Sequence, residues 1–171
     1  MASQWVPGGG FLSGSLAQEE SLCSRSTLYA ALPKGNYPLP DVSAEYTRDV
    51  LVFESPDGEV QEQWVDVISA AAVCRPKVVD EAYRALLTEK MRLMMGVLVA
   101  ERAEVVVLGA WGCGAYGNSI KEAVAAWRDV LAEGWVGVRV VEFAVLERGM
   151  AVEFCGVWEI GMEWREVNAE G

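Results

Sequence analysis

Glu104-Val105-Val106-Val107-Leu108-Gly109-Ala110-Trp111-Gly112-Cys113-Gly114-Ala115-Tyr116-Gly117 carries the architecture of this chain in a single run. Glu104 to Leu108 is almost continuously apolar and rich in β-branched residues, the pattern of a strand buried on both faces. Glycines interrupt it, and Asn118 or Ser119 can cap the helix beyond. The Ser119-x-x-Glu122 spacing is that of a capping box, with helical character to about Glu133. Gly137 to Leu146 reads as a second buried strand. Strand, glycine loop, helix and strand in this order predict a parallel crossover within a layered α/β fold.

Toward the N-terminus, a helix is expected from Asp80 to about Arg102, where Ala82, Leu86, Leu93, Val97 and Ala100 recur near helical spacing. Leu87, Met91, Met94 and Leu98 widen that stripe, and Met91, Met94 and Met95 read as core filler. Two strands precede it, Asp49 to Glu54 and Trp64 to Ala72, joined through a turn at Pro56-Asp57-Gly58. The breaker-rich segment Pro33 to Asp41 reads as a loop. Before it, the Ser15-x-x-Gln18 spacing predicts a capped helix from about Ser15 to Leu32. One domain is expected over residues 1–150, leaving 151–171 as an unassigned C-terminal tail.

Composition bounds the function. The chain has 171 residues, 52% of them hydrophobic, enough for one domain to bury a core without disulfides or a structural metal. Its 14 basic and 25 acidic residues give a formal charge of -11, which argues against general binding to nucleic acids or to an anionic membrane. No signal peptide is apparent, and no apolar run reaches the roughly 18 residues of a membrane span. The expectation is a soluble, intracellular protein, cytoplasmic or nuclear. The four cysteines form no C-x-x-C pair and read as buried free thiols. With no histidine in the chain, Ser-His and Cys-His nucleophiles are excluded, and acid–base work near neutral pH falls to carboxylates.

Two glycine loops and one carboxylate pair carry the candidate chemistry. Gly112-x-Gly114-x-x-Gly117 fits the dinucleotide fingerprint as a string. That motif normally follows the first strand of its unit, whereas here it precedes what reads as the last core strand, so a nicotinamide dehydrogenase stands as a runner-up. A tight turn without a ligand is the plainer alternative. The physical content common to fingerprint and ligand-bearing turn is a set of N–H donors and a positive dipole end, offered to an anion.

Pro7-Gly8-Gly9-Gly10 stands seven residues before Gln18-Glu19-Glu20. The triple glycine is expected to approach a ligand closely and to turn unpaired N–H groups toward it. Adjacent glutamates on a helix diverge by about 100°, so Glu19 and Glu20 should play different parts. Two glutamates in a first helical turn are ordinarily solvated residues that complement the dipole; the glycines upstream favour a pocket instead. A diphosphate linking two sugars would suit the pair of helix-terminal loops. Tyr116 would then lie against a ribose or base, or serve simply as packing.

At these residues the chain resembles the catalytic domain of microbial-type poly(ADP-ribose) glycohydrolases, of the macrodomain superfamily. The pattern Gly8-Gly9-Gly10, seven residues, Gln18-Glu19-Glu20 matches that family's signature and continues through Leu22-Cys23-Ser24-Arg25-Ser26-Thr27-Leu28-Tyr29. Leu108 to Asn118 resembles the family's diphosphate loop, and Val140 to Leu146 its late strand. The resemblance implies a three-layer α/β/α sandwich with a mixed, mostly parallel sheet. The family has a strand-and-helix region before the triple glycine, and an asparagine just upstream of the Ala-Ser that corresponds to Ala2-Ser3. Here Met1 begins the chain, so a sheet lacking its first strand or strands is expected.

The resemblance also assigns roles. Glu20 would be the catalytic carboxylate and Glu19 would bind a ribose hydroxyl. Gly8, Gly9, Gly10 and Gln18 would line the catalytic ribose, while Gly112, Cys113, Gly114 and Ala115 would hold diphosphate and Tyr116 would occupy the stacking position. The implied reaction is metal-free and cofactor-free hydrolysis of ribose–ribose O-glycosidic bonds in poly(ADP-ribose), or of ADP-ribose from modified protein, releasing ADP-ribose. The alternative is a non-catalytic ADP-ribose-binding macrodomain.

Overall fold

A computed structural model of the chain describes residues 2–55, 60–145 and 147–158. Its helices and strands alternate as an α/β fold. The N-terminal part holds α1 (Gln18–Arg25) and α2 (Leu28–Ala31) against an antiparallel hairpin of β1 (Glu45–Glu54) and β2 (Val60–Ser69). The predicted turn Pro56-Asp57-Gly58 lies outside the described residues. Next come α3 (Glu81–Ala100), β3 (Val105–Leu108), α4 (Ile120–Ala132), β4 (Val140–Phe143) and α5 (Arg148–Trp158). β3 and β4 pair in parallel, Val105 with Val140 through Leu108 with Phe143, so the strand, loop, helix and strand unit is the expected crossover. Among the described residues the sheet is in two pieces, one antiparallel pair and one parallel pair.

Three expectations are corrected. The helix expected over Ser15 to Leu32 is two helices, because Ser26 leaves helical geometry to bridge Val52 of β1. Thr27 secures the break: its amide donates to Leu51 O and its hydroxyl accepts from Leu51 N, both at 3.0 Å. On α3 the buried face is Tyr83, Leu87, Met91, Met94, Met95 and Leu98, whereas Ala82 and Ala100 face outward. The stripe is thus rotated by one position, toward α4 and the 70–73 segment. Finally, β3 is buried on one face only. Val106 and Leu108 enter the core, but Val105 and Val107 are 61% and 63% exposed, with no covering layer among the described residues.

The main core joins α3, β3 and α4, with Trp127 wholly buried at its centre. α5 runs across residue 150 and lays Phe154 and Trp158 against Phe143 of β4; residues 159–171 of the expected tail lie outside the described set. A smaller cluster of Cys23, Leu28, Leu32 and Val50 fixes α1 and α2 onto the hairpin. Burying such side chains contributes roughly 1.5–3 kcal/mol each. The four cysteines are free, but only Cys23 is fully buried; Cys74 and Cys155 are exposed. Among the described residues no helix is long and apolar enough to cross a membrane.

Candidate functional site

α1 begins directly behind the triple-glycine loop, and its first turn carries Gln18, Glu19 and Glu20 into that loop. Gly8 N donates to Glu19 Oε1 at 3.2 Å, Ser3 N donates to Glu19 Oε2 at 2.6 Å, and Gly10 N donates to Glu20 Oε1 at 2.9 Å. Gly9 N closes a turn on Val6 O at 3.1 Å. The three glycine amides are therefore engaged within the chain, contrary to the expectation that they stay unpaired for a ligand. Carboxylates are strong acceptors for backbone N–H, so once the helix delivers them they take these donors ahead of an external anion.

The local backbone explains why glycine is needed. Gly9 lies at φ +56, and a β-carbon there would collide with the Glu20 carboxylate. Ser15 packs over Gly10 instead of capping α1, whose N-cap is Ala17 without a side-chain cap bond. The glutamates differ as their divergent directions require. Glu19 is 4% exposed and Glu20 half-buried. Burial raises the Glu19 pKa above the usual carboxylate value, against the lowering effect of the Ser3 and Gly8 amides. Beneath them, burial pushes the Cys23 thiol up to about 12, which leaves it an inert packing group.

The second loop sits between β3 and α4. Its turns close through Cys113 N to Ala110 O at 3.0 Å, Gly117 N to Gly114 O at 2.9 Å and Asn118 N to Gly112 O at 3.0 Å. The amides of Gly112, Gly114, Ala115 and Tyr116 donate to no protein acceptor among the described residues. Gly114 and Ala115 are exposed beside the N-terminus of α4, where the helix dipole favours negative charge. Cys113 differs from its neighbours. Its amide is used in the turn, its thiol reaches Trp111 O at 3.8 Å, and burial pushes that thiol up to about 11.

Asn118, read from sequence as a helix cap, is an internal clamp. It is 4% exposed; its Nδ2 donates to Val73 O at 2.7 Å and to Gly112 O at 3.0 Å, while Oδ1 accepts from Tyr83 Oη at 2.9 Å. A β-carbon on Gly112, at φ +82, would stand 2.7 Å from Asn118 Nδ2 and 2.8 Å from Ala72 Cβ, so the clamp requires glycine there. Ser3 and Ala2 were also missed as functional positions, since main-chain donors leave no signature in side-chain identity. The proximity of Ala2-Ser3 to the glycines was the available signal.

Both loops converge on the 70–73 segment. Ala70 O accepts from Ala2 N at 3.1 Å and from Trp111 Nε1 at 3.0 Å. Two further contacts join the loops directly. Tyr116 Oη donates to Ala2 O at 3.1 Å, and Gln18 lies against Gly109, where a β-carbon would be 3.2 Å from its Nε2. The carboxylate pair and the open amides of the second loop are thus tied into one unit.

The family profile described as "Microbial-type PARG, catalytic domain" matches residues 1–53. Poly(ADP-ribose) glycohydrolase (PARG) from Deinococcus radiodurans, crystallised in complex with ADP-ribose, is 29% identical, with 92% of this chain and 71% of that chain covered at a TM-score of 0.79. The Thermomonospora curvata enzyme bound to the inhibitor ADP-HPD is 28% identical, with 91% of this chain and 67% of that chain covered at a TM-score of 0.79. The same enzyme in a further crystal structure is 27% identical, covering 91% and 65% at a TM-score of 0.80. No curated protein matches the sequence. The resemblance to the catalytic domain of microbial-type PARGs is therefore present in the first 53 residues and across the α/β fold of the chain.

Proposed function

We propose that this chain hydrolyses the ribose–ribose O-glycosidic bond of poly(ADP-ribose), or removes ADP-ribose from modified protein, with Glu20 as the catalytic acid. The observation that carries this reading is the carboxylate pair itself, held by the amides of Ser3, Gly8 and Gly10 and tied to the second glycine loop. The fold it shares with PARGs that bind ADP-ribose or ADP-HPD supports the same substrate class.

The roles follow from the environments. Glu20, half-buried and fixed by a single amide, donates its proton to the leaving ribose oxygen as the glycosidic C–O bond breaks and positive charge develops on the sugar. The resulting carboxylate takes a proton from the water that attacks the anomeric carbon, which regenerates the acid. Glu19 remains an acceptor, because each carboxylate oxygen has a second lone pair available to a ribose hydroxyl. Gly8, Gly9, Gly10 and Gln18 border this ribose. The amides of Gly112, Gly114, Ala115 and Tyr116 receive the diphosphate at the start of α4, and Cys113 contributes as the turn residue that spaces them. No metal or cofactor is required by these steps.

Incubation with poly(ADP-ribose), with Glu20→Gln in parallel, tests the reading. ADP-ribose release by the unaltered chain should fall about 10²–10⁴-fold in the variant while ADP-ribose binding persists. Binding without release in the unaltered chain would make it a reader of ADP-ribose, and absence of binding would remove both readings.

A further inference from the structure

The hydroxyl of Tyr116 has a position that stacking on a sugar does not explain. It donates to Ala2 O at 3.1 Å, 114 residues distant in sequence. The Gln4 backbone amide faces the same oxygen and acts against the burial that raises this phenol's pKa. Between those two contacts lies Ser3, whose amide donates to Glu19 Oε2 at 2.6 Å and whose hydroxyl accepts from Trp5 N at 3.2 Å. Ala2 is 3% exposed and is fixed at its other end by Ala70 O. Residues 2–4 have no helix or strand of their own, and Gln4 is held on its far side by Leu39 N, which donates to Gln4 O at 2.7 Å. Ala2 O belongs to the same peptide group as the Ser3 amide, so the Tyr116 bond bears directly on where that amide points.

We propose that Tyr116 is a positioning residue whose hydroxyl latches the Ala2–Gln4 segment and so keeps the Ser3 amide on Glu19. The ring packs against the main core and the hydroxyl holds the segment that carries the Ser3 amide. One side chain thereby makes the geometry of the glutamate pair depend on the loop that receives the diphosphate. The catalytic consequence rests on the function proposed above; the latch itself does not.

Tyr116→Phe keeps the ring and removes the hydroxyl. Hydrogen exchange of the peptide covering residues 2–10 reports the latch whether or not the chain is an enzyme, and should quicken about 2- to 10-fold in the variant, the range expected for one lost hydrogen bond. Unchanged exchange there overturns the proposal. Turnover gives a second, separable readout. The kcat for ADP-ribose release should drop about tenfold, with ADP-ribose Kd changed less than about twofold, since binding keeps the ring and the amides. An intact kcat, or a loss confined to Kd, assigns the residue to binding alone and also overturns the proposal. Tyr116→Ala, which removes ring and hydroxyl together, should lose both kcat and affinity. If the unaltered chain releases no ADP-ribose, the proposed function fails and the exchange result alone decides the latch.

Discussion

The amide of Gly10 donates to Glu20 Oε1 at 2.9 Å, and this bond defines what the triple glycine does. With Gly8 held to Glu19 in the same way, the loop grips the carboxylates that follow it in sequence. The division of labour between the two glycine loops follows. Among the described residues, the first gives its glycine amides to Glu19, Val6 O and Glu20, and the second has four amides that meet no protein acceptor. Orienting a carboxylate with fixed dipoles removes reorganisation from the reaction step, which is where preorganised sites gain rate.

Gly9→Ala should damage this grip. A β-carbon there would collide with the Glu20 carboxylate, and φ +56 adds strain of about 1 kcal/mol for a side chain. ADP-ribose release is expected to fall at least tenfold, by about the amount a misplaced acid costs. Gly14→Ala is the control, since its φ of +77 imposes similar strain while nothing lies within 4 Å of the added methyl. Turnover by Gly14→Ala should stay within about twofold of the unaltered chain. Equal loss in both variants would show that general strain, not contact with Glu20, governs the loop.

Glu19 should make stability depend on pH. Its folded pKa is raised from the usual 4.5, chiefly by burial, so the folded chain holds this proton more tightly than the unfolded chain. The associated stability is full below 4.5 and is lost as pH rises through the higher folded value. Glu19→Gln has no such proton, and the cost of its single acceptor oxygen does not vary with pH. Urea denaturation from about pH 4 to about pH 7 should show the unaltered chain losing ground to Glu19→Gln as pH climbs. A constant difference would mean that the Ser3 and Gly8 amides balance burial, and a reversed trend that they outweigh it.

Asn118→Ala should be costly although Asn118 touches no proposed substrate atom. It removes the clamp on Gly112 O and Val73 O and strands the buried Tyr83 hydroxyl. Each unsatisfied buried group costs roughly 1–3 kcal/mol, so a loss of about 2–4 kcal/mol is expected from denaturation midpoints. Tyr83→Phe leaves only one acceptor lone pair without its donor and should cost about 1 kcal/mol. ADP-ribose affinity should weaken severalfold in Asn118→Ala and hold in Tyr83→Phe, as calorimetry would show. The reverse order would place the control of the loop in α3.

The sequence revealed the crossover because three consecutive valines beside a glycine-rich turn admit few other readings, and Val105 does pair in parallel with Val140. The exposure of Val105 and Val107 was invisible for the same reason: a continuous apolar run does not say which of its faces finds a neighbour. On α3 the misplaced face came from Ala82 and Ala100, small residues that fit inside or outside a core equally well. What fixes the rotation is tertiary, including Lys90, which is 6% exposed and donates from Nζ to Asp41 O and Ala71 O. The break at Ser26 likewise depends on β1, which lies 26 residues away at Val52. At the candidate site the glutamates and glycines were legible as residue types. Their pairing was not, since amide donors such as those of Ser3 and Gly8 are common to every sequence.

Salt should affect ligand binding weakly. The chain carries a formal charge of -11, so the proposed diphosphate ligand would approach against the overall field and would be received by the amides of Gly112, Gly114, Ala115 and Tyr116 in the loop before α4. Lysine or arginine clamps would give an affinity that falls steeply with added salt, whereas fixed dipoles at contact distance are screened little. Raising salt also shortens the reach of the unfavourable net field, which offsets part of any loss. ADP-ribose Kd is therefore expected to change by less than about threefold between 50 and 200 mM salt, roughly a twofold change in Debye length. Titration calorimetry at the two salt concentrations measures this directly. A tenfold or greater weakening would mean that exposed basic side chains, with Arg75 the first to test because its amide donates to Tyr116 O at 2.8 Å, hold the phosphates in place of the helix terminus.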